Sequence, residues 1–320
     1  MEKQLLTALQ DGQFHSGEAL GALSGISRAA VWKRIQLLLA AGVDIQSVRG
    51  KGYRLAAPLT LLQAEALADS SVPVRLLWRT GSTNADALAA LQGGDSPPFC
   101  IIAEHQQAGR GRRGRDWLSP LGGGICLSLA WRLTVGAPQL EGLSLAVGLL
   151  VARLLERHGL AGRVQLKWPN DIWVDGKKIA GVLIELAGDL ETECDVVIGI
   201  GINGRLGEAQ LSRIDQPCTD YLSATGMLPN RHLLTRELLA DLHALLRDFA
   251  SQGFAPLRSA WQQRDALFGQ QVEVHSAGRR VIGVAEGVDD QGALRLRCGD
   301  QQVRWQGGEV TLRPASRVQQ

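Results

Sequence analysis

The sequence lacks the signatures of several common protein classes. Its five cysteines are an odd number, and no two have Cys-x-x-Cys spacing. This pattern argues against a disulfide framework or a zinc site and favours a reducing, cytoplasmic compartment. No apolar run reaches the roughly 18 residues of a membrane helix, and residues 1–4 open no signal peptide. We therefore expect a cytoplasmic protein with no membrane partner.

The sequence also lacks a protein nucleophile in its usual setting. The motifs G-x-S-x-G, H-E-x-x-H and G-x-x-x-x-G-K-[ST] are absent. The six histidines are dispersed along the chain, which suggests neither a catalytic triad nor a protein-bound metal. The net charge is only +2, so any basic surface has to be local. A chain of 320 residues is long enough for two or three domains.

The most unusual stretch is GRGRRGR at residues 109–115, with four arginines and three glycines. Arginine presents a planar fork of donors to carboxylate or phosphate oxygens, and glycine allows the backbone to approach a ligand closely. Four like charges repel each other until an anion relieves them. We therefore predict a mobile loop that becomes ordered around a carboxylate or phosphate. The alternative is a solvated basic loop or a nucleic-acid patch.

The same stretch fits G-x-G-x-x-G, but its context disfavours a dinucleotide site. A strand is predicted before it at residues 99–103, whereas residues 116–124 contain a proline and three glycines and disfavour the required helix. No acidic residue occurs between Trp117 and Leu140, where a ribose-binding carboxylate is expected. The Rossmann interpretation is therefore weak.

Residues 1–58 are predicted to form a winged helix-turn-helix. A short helix capped by Ser16 and a longer one capped by Ser27 precede two alternating strands around a basic turn at 49–52. The basic residues lie on the second helix and the wing, which favours DNA binding over a purely protein contact. Trp32 of the second helix could reach toward DNA, but we expect it to pack inside. The expected DNA contacts are Gly17, Ser27, Arg28, Lys33, Gln36 and Lys51.

Residues 61–268 are predicted to form a central domain with a mixed sheet, which places the chain in the α+β class. Its expected helices span 85–91, 143–158, 233–249 and 257–267. Residues 270–317 carry short strands separated by glycine-containing turns, which predicts a small C-terminal β-barrel.

Two more segments of the central domain suit ligand binding. Residues 82–84 (STN) offer donors and acceptors for a neutral polar group, although they could simply cap a helix. Lys167 ends an apolar strand before Trp168 and Pro169. A lone lysine usually faces solvent, but in this setting it is a candidate fixed charge against phosphate or carboxylate.

This inventory suits activation of a carboxylic acid by adenylation, which needs no protein nucleophile. A carboxylate and ATP repel each other until cations neutralise them, so catalysis consists of positioning and electrostatic stabilisation. Mg²⁺ is expected to bridge the nucleotide phosphates.

Four segments together carry a resemblance to a known family. Residues 82–84 (STN), 106–117 (QQAGRGRRGRDW), 167–171 (KWPND) and 199–203 (GIGIN) are similar in order and spacing to the motifs of biotin–protein ligases. With a winged helix in front and a small barrel behind, nearly the whole chain resembles the bacterial enzymes that are also biotin-operon repressors. The resemblance implies a catalytic domain like those of class II aminoacyl-tRNA synthetases and biotin ligases, and an SH3-like C-terminal barrel.

The resemblance implies a reaction and its partners. Biotin and ATP would give biotinyl-5′-AMP and pyrophosphate, and a lysine of the biotin carboxyl carrier protein of acetyl-CoA carboxylase would then take the biotin. Biotinyl-5′-AMP would also favour a homodimer that binds a palindromic operator DNA. The alternatives are a non-catalytic, ligand-responsive repressor, and a related acid such as lipoate as the substrate.

The resemblance also implies roles for individual residues. Arg112 and Lys167 are the expected catalytic residues. The expected biotin-binding residues are Ser82, Thr83, Asn84, Gln106, Gly109, Arg110, Gly111, Arg112 and Lys167. The expected ATP- and adenylate-binding residues are Arg112, Arg115, Trp117, Lys167, Asn170 and Asn203.

Overall fold

Runs of helices and runs of strands follow one another along the chain in the computed structural model. It describes residues 1–188, 193–276, 279–307 and 311–314, with the backbone alone at 137, 138, 276, 279 and 311–314. Residues 315–317 of the expected C-terminal domain lie outside the described residues. The helices are α1 (Glu2–Leu9), α2 (Gly17–Ser24), α3 (Arg28–Ala40), α4 (Thr83–Gln92), α5 (Leu143–Leu155), α6 (Glu208–Leu211), α7 (Tyr221–Thr225), α8 (Arg231–Gln252) and α9 (Arg258–Gln262).

The strands form one large sheet and three smaller ones. They are β1 (Ile45–Val48), β2 (Gly52–Leu55), β3 (Val74–Leu77), β4 (Phe99–Ala103), β5 (Gln106–Arg110), β6 (Asp116–Ser119), β7 (Gly124–Leu133), β8 (Val164–Lys167), β9 (Asp171–Val174), β10 (Lys177–Ala187), β11 (Cys194–Asn203), β12 (Gln271–Ser276), β13 (Arg279–Val288), β14 (Leu294–Cys298), β15 (Gln301–Trp305) and β16 (Thr311–Pro314). No helix of the described chain is long and apolar enough to cross a membrane.

The N-terminal segment is the predicted winged helix-turn-helix. The Ser16 and Ser27 hydroxyls accept hydrogen bonds from the first turns of α2 and α3, so both predicted caps are confirmed. The inner face of α3 buries Val31, Ile35 and Leu38 against α1. Strands β1 and β2 then form the antiparallel wing.

The expectation that Trp32 packs inside is wrong. Val31 and Ile35 occupy the inner face of α3, and the intervening Trp32 side chain is turned outward with 54% of its surface exposed. Successive helical residues point about 100° apart, and Val31, Ile35 and Leu38 define an inner face of α3 that does not include Trp32.

The central sheet is mixed, as predicted. Its strand order is β3-β4-β7-β11-β10-β9-β8, in which only β3 and β4 pair in parallel. Side chains alternate along β4, so Cys100 and Ile102 join the main core with α5 and α8, whereas Phe99 and Ile101 pack under α4. The sheet therefore has a helix on each face.

Two predicted helices end earlier than expected. The helix predicted over 257–267 stops at Gln262, because Leu166 of β8 donates to the Arg264 carbonyl and accepts from the Ala266 amide. The pairing with β8 replaces the helical hydrogen bonds. Helix α5 ends at Leu155 and continues only as a π-helical turn, in which Gly159 adopts φ +94°.

The C-terminal strands form one antiparallel sheet of order β15-β14-β13-β12-β16. Val272, Val274, Leu294 and Leu296 are buried in the same core as α5. The Trp168 indole donates to the Gly292 carbonyl at 3.0 Å. The β8–β9 turn is therefore bonded to this sheet.

A buried ion pair joins the linker before the central domain to three elements of that domain. Arg231 at the start of α8 lies 2.7 Å from the Glu104 carboxylate that follows β4, and both side chains are 3% exposed. Arg231 also donates to the carbonyls of Thr60 and Gly124 at 2.8 Å. Glu104 accepts from the Leu62 amide. The pair thus ties the linker, β4, β7 and α8 together.

Replacing Arg231 with methionine is expected to destabilise the protein by about 3–5 kcal/mol, because the Glu104 carboxylate then stays buried without its partner. Urea denaturation measures this loss. The matched control is Arg236→Met on the exposed side of the same helix, which should change stability by no more than about 0.5 kcal/mol. Equal losses in the two variants would contradict the interpretation.

Candidate ligand-binding site

The arginine-rich segment is the end of a β-hairpin. Strands β5 and β6 pair through Gly109 with Trp117 and Arg110 with Asp116. At the turn, the Gly111 amide donates to the Arg115 carbonyl at 2.7 Å, and Arg113 and Gly114 both adopt positive φ. The predicted loop therefore corresponds to the hairpin turn. That the segment moves or reorders around an anion stays a prediction.

Gly109 has a steric role in this hairpin. A Cβ atom there would lie 2.5 Å from the Trp117 carbonyl oxygen and 2.9 Å from Gln106 Nε2. No side chain fits at such distances. The glycine therefore allows β5 to lie close to β6 and to the Gln106 amide.

Arg112 reaches from the hairpin turn to two other parts of the chain. Its guanidinium donates to Asn170 Oδ1 at 3.4 Å and to the carbonyl of Gly307, beyond β15. Burial lowers the pKa of Arg112, while the Asp171 carboxylate acts in the opposite direction. The predicted anion-binding arginine thus lies beside the 167–171 turn. Arg115 is exposed.

Lys167 lies at the end of β8, as predicted. Its Nζ is 5.0 Å from the centroid of the Trp173 ring, a cation–π distance. Asp171, paired with Lys167 in the β8–β9 register, makes a 2.6 Å ion pair with Lys178. Three cationic side chains therefore lie around the 167–171 turn: Lys167 from β8, Lys178 from β10 and Arg112 from the hairpin.

The GIGIN segment of β11 makes room for two side chains. A Cβ at Gly199 would lie 2.2 Å from Asn84 Oδ1, and one at Gly201 would lie 2.3 Å from the Trp117 indole. Gly181, which is opposite Gly201 on β10, also lies under the indole. Glycines two apart on one strand share a face. We call the flat surface that these glycines of β10 and β11 form the floor of the site, and the Gly-x-Gly spacing is its signal in the sequence.

Four buried polar side chains line the inner end of this floor. Gln106 Oε1 accepts from the Thr83 amide at 2.8 Å and from its hydroxyl at 3.0 Å. The Ser128 hydroxyl contacts the Thr83 hydroxyl at 2.7 Å and the side-chain amide oxygen, Oδ1, of Asn84. Asn84 donates to Glu185 at 2.7 Å. Sequence reasoning missed Ser128 and Glu185, because they belong to no motif.

The helix-cap alternative for the STN segment is not borne out for its first residue. Ser82 occupies the cap position of α4, but its side chain makes no capping hydrogen bond. Thr83 and Asn84 turn into the buried cluster instead.

Three more predicted site residues have partners within the protein. Asn203 donates to the Thr219 carbonyl at 3.0 Å, and Asn170 donates to the Val182 carbonyl at 2.8 Å. Arg110 lies 3.4 Å from Glu185. Their contacts to any ligand stay predictions.

Most of the predicted DNA contacts lie on the surface of the winged helix. On α3, Arg28, Lys33 and Gln36 are exposed, and Lys51 is exposed in the wing. Gly17 differs: it is buried in α2, and a Cβ there would lie 3.2 Å from Arg28 Cγ. Its position indicates a packing role beneath Arg28.

Three protein families match consecutive parts of the chain. The HTH domain family matches residues 2–54, the Biotin/lipoate A/B protein ligase family residues 79–203, and the Biotin protein ligase C terminal domain family residues 267–313. The motifs of the candidate site thus lie within the ligase match.

Similar proteins cover from about two thirds to nearly all of the chain. The bifunctional ligase/repressor BirA of Escherichia coli is 39% identical over 98% of both chains. The biotin–[acetyl-CoA-carboxylase] ligase of Paracoccus denitrificans is 36% identical over 69% of this chain and 93% of its own. The biotin protein ligase of Aquifex aeolicus, solved with biotin and ATP, superposes with a TM-score of 0.65 at 25% identity, covering 76% of this chain and 99% of that one.

The winged helix, the mixed sheet with its arginine hairpin and the C-terminal sheet together define a class of enzyme. The chain belongs to the biotin protein ligase family. Within that family, the relatives that match it over nearly its whole length, winged helix included, are the bifunctional ligase/repressors.

An alanine at Gly201 is expected to displace the Trp117 indole, because its methyl group would overlap the ring. The cost should be about 1–3 kcal/mol of unfolding free energy, measured by urea denaturation with tryptophan fluorescence.

A double-mutant cycle identifies the cause of that loss. In a Trp117→Ala background, Gly201→Ala should cost much less, since the overlapping ring is gone. Gly148→Ala is the control, because a Cβ there meets only ordinary contact at 3.7 Å. An undiminished cost in the double mutant would contradict the steric explanation.

Proposed function

We propose that the chain adenylates biotin with ATP and transfers the biotin to a lysine of the biotin carboxyl carrier protein of acetyl-CoA carboxylase. The same chain represses transcription through its winged helix, with biotinyl-5′-AMP as corepressor. One observation carries the catalytic part: Arg112 reaches from the hairpin to the turn that follows Lys167. Full-length similarity to the ligase/repressors supports both parts.

In the first step, a biotin carboxylate oxygen attacks the α-phosphorus of ATP. The new bond is the acyl–phosphate bond of biotinyl-5′-AMP, and the bond to pyrophosphate breaks. Negative charge gathers on the α-phosphate oxygens during this exchange. Lys167 and Arg112 are the cations proposed to stabilise it.

In the second step, the acceptor lysine amine attacks the acyl carbon of biotinyl-5′-AMP. An amide bond forms, AMP leaves with the bonding electron pair, and the amine loses one proton. The site supports this step through position rather than through a protein nucleophile.

The proposed biotin-binding residues surround the floor formed by β10 and β11. Ser82, Thr83 and Gln106 are proposed to supply polar contacts for the ring system, with Asn84 in the same polar cluster, while Gly109, Arg110 and Gly111 belong to the hairpin that covers it. Arg115, Trp117, Asn170 and Asn203 are proposed for the nucleotide. A half-buried Trp117 over two glycines provides an apolar surface there.

Mg²⁺ is proposed to enter with the nucleotide. Among the described residues no group of three His, Cys, Asp or Glu could hold a metal, and Asp171 is already paired with Lys178. The ATP phosphates would therefore supply most of the ligands, and Mg²⁺ would neutralise their charge. A cytoplasmic location remains a prediction.

Replacing Lys167 with alanine is expected to lower biotin-dependent pyrophosphate release at least about a hundredfold, the scale of one lost transition-state charge contact. Arg112→Ala should also lower the rate of biotin-dependent pyrophosphate release. The assay measures pyrophosphate released from ATP with and without biotin.

The control for this assay is Lys177→Ala, an exposed lysine at the start of β10, which should retain wild-type rates. Biotin binding and operator binding without any pyrophosphate release would support the alternative, a non-catalytic repressor. Equal release with lipoate would change the proposed substrate.

Repression is proposed to require a homodimer that forms when biotinyl-5′-AMP is bound. A palindromic operator needs two winged helices at a fixed spacing. Arg28, Lys33, Gln36 and Lys51 are proposed to contact the DNA, since they are exposed on α3 and the wing.

With biotin and ATP present, sedimentation should shift from monomer to dimer, and the dimer should retain palindromic duplexes from a random pool. Lys33→Ala should weaken this binding across sequences and reduce its salt dependence by about one phosphate contact. A monomer at saturating biotin and ATP, with no salt-dependent DNA retention, would contradict the proposal.

A further inference from the structure

A fully buried hydroxyl lies at the centre of the site's polar cluster. Ser128 is on β7, where its neighbours in the sheet are Ile101 and Gly199, and its side chain has no exposed surface. A hydroxyl placed among apolar strands is costly unless it is hydrogen-bonded. Its partners are Thr83 and Asn84 of the STN segment.

Counting hydrogens fixes the direction of these bonds. The Asn84 amide nitrogen donates to Glu185 at 2.7 Å and to the Leu183 carbonyl at 3.4 Å. The Asn84 oxygen therefore faces Ser128, and an amide oxygen can only accept. The single Ser128 hydrogen must go to Asn84.

The remaining bonds then follow. Because the Ser128 hydrogen is used, any hydrogen bond between Ser128 and Thr83 takes its hydrogen from Thr83. The Thr83 hydroxyl hydrogen can go to Ser128 or to Gln106 Oε1, and the Thr83 backbone amide donates to Gln106 Oε1 in either case. The Gln106 oxygen is thus held toward the cluster.

The orientation of the Gln106 amide has a chemical consequence. With Oε1 held inward, Nε2 is directed toward the hairpin, where it lies 2.9 Å from the Cβ position of Gly109. The Cys126 thiol also neighbours this end of Gln106, and burial raises the pKa of that thiol. The site therefore presents an amide donor beneath the hairpin.

We propose that Ser128, Asn84 and Glu185 are positioning residues. They hold the STN segment in place, so that the Thr83 amide keeps Gln106 Oε1 inward and leaves the Gln106 donor directed toward the substrate ring. This inference rests on the proposed function. A ligand ring with a hydrogen-bond acceptor, such as the carbonyl of a cyclic urea, matches this donor. The dithiolane ring of lipoate offers no comparable acceptor, so a Gln106 amide held in this orientation discriminates biotin from lipoate.

Glu185 is the charged residue at one end of this chain of hydrogen bonds. Its carboxylate accepts from Asn84 and lies 3.4 Å from Arg110 of the hairpin. A carboxylate is an acceptor only, so Asn84 cannot flip without placing its own oxygen against a negative charge. Glu185 therefore fixes the orientation of Asn84, and Asn84 and Ser128 in turn hold the segment whose Thr83 amide donates to Gln106.

The test is calorimetric binding of biotin, with ATP binding measured on the same variants. Ser128→Ala and Glu185→Leu should each raise the Kd for biotin about tenfold, the scale of one hydrogen bond, and leave the Kd for ATP unchanged. Glu185→Gln keeps an acceptor for Asn84 and should stay within about threefold of wild type. Lipoate binding should not weaken.

The matched control is Thr235→Val in α8, which removes a buried hydroxyl that has no hydrogen-bond partner. It should leave the biotin Kd unchanged. Thermal melting checks that each variant is folded, and if Ser128→Ala is not, the two Glu185 variants decide the question.

Biotin Kd values within twofold of wild type in folded Ser128→Ala and Glu185→Leu would overturn the inference, and so would an equal loss of ATP affinity. A wild type that binds no biotin overturns both proposals. A wild type that binds biotin without releasing pyrophosphate overturns only the ligase activity, because the Kd comparison still tests the positioning residues.

Discussion

The buried ion pair of Glu104 and Arg231 sets the positions of the strands that build the site. Two charges removed from water are tolerated only with close geometry and further hydrogen bonds, and here the Thr60, Gly124 and Leu62 backbones provide them. Glu104 directly precedes the segment that enters the hairpin, and Gly124 begins β7, which carries Ser128. The pair therefore places both sides of the polar cluster.

The absence of side chains in the floor matters as much as the charges around it. Gly199 and Gly201 leave space that Asn84 and Trp117 fill, so a helix start and a hairpin strand can both lie flat on β11. Packed interiors do not absorb an extra methyl group without displacement. The same strand thus receives a polar side chain and an apolar one, two positions apart.

The hairpin links the candidate site to the rest of the chain. On one side of it Arg112 contacts the 167–171 turn and the Gly307 carbonyl. On the other, Leu121 lies just beyond β6 within the winged-helix core, and its amide donates to the Ala41 carbonyl at the end of α3. The segment with the most charge is therefore also bonded to both flanking parts of the chain.

The sequence alone determined the order of the parts, the helix caps at Ser16 and Ser27, and the cationic character of the site, because caps, turns and charge clusters depend on neighbouring residues. It did not determine that Trp32 faces outward, that the helix after Leu257 stops at Gln262, or that Ser128 and Glu185 join the polar cluster. Those outcomes depend on which strand or helix packs opposite, and the partners of Ser128 and Glu185 in the cluster are 44 to 101 residues away in sequence. Only the tertiary structure brings such partners within hydrogen-bond distance.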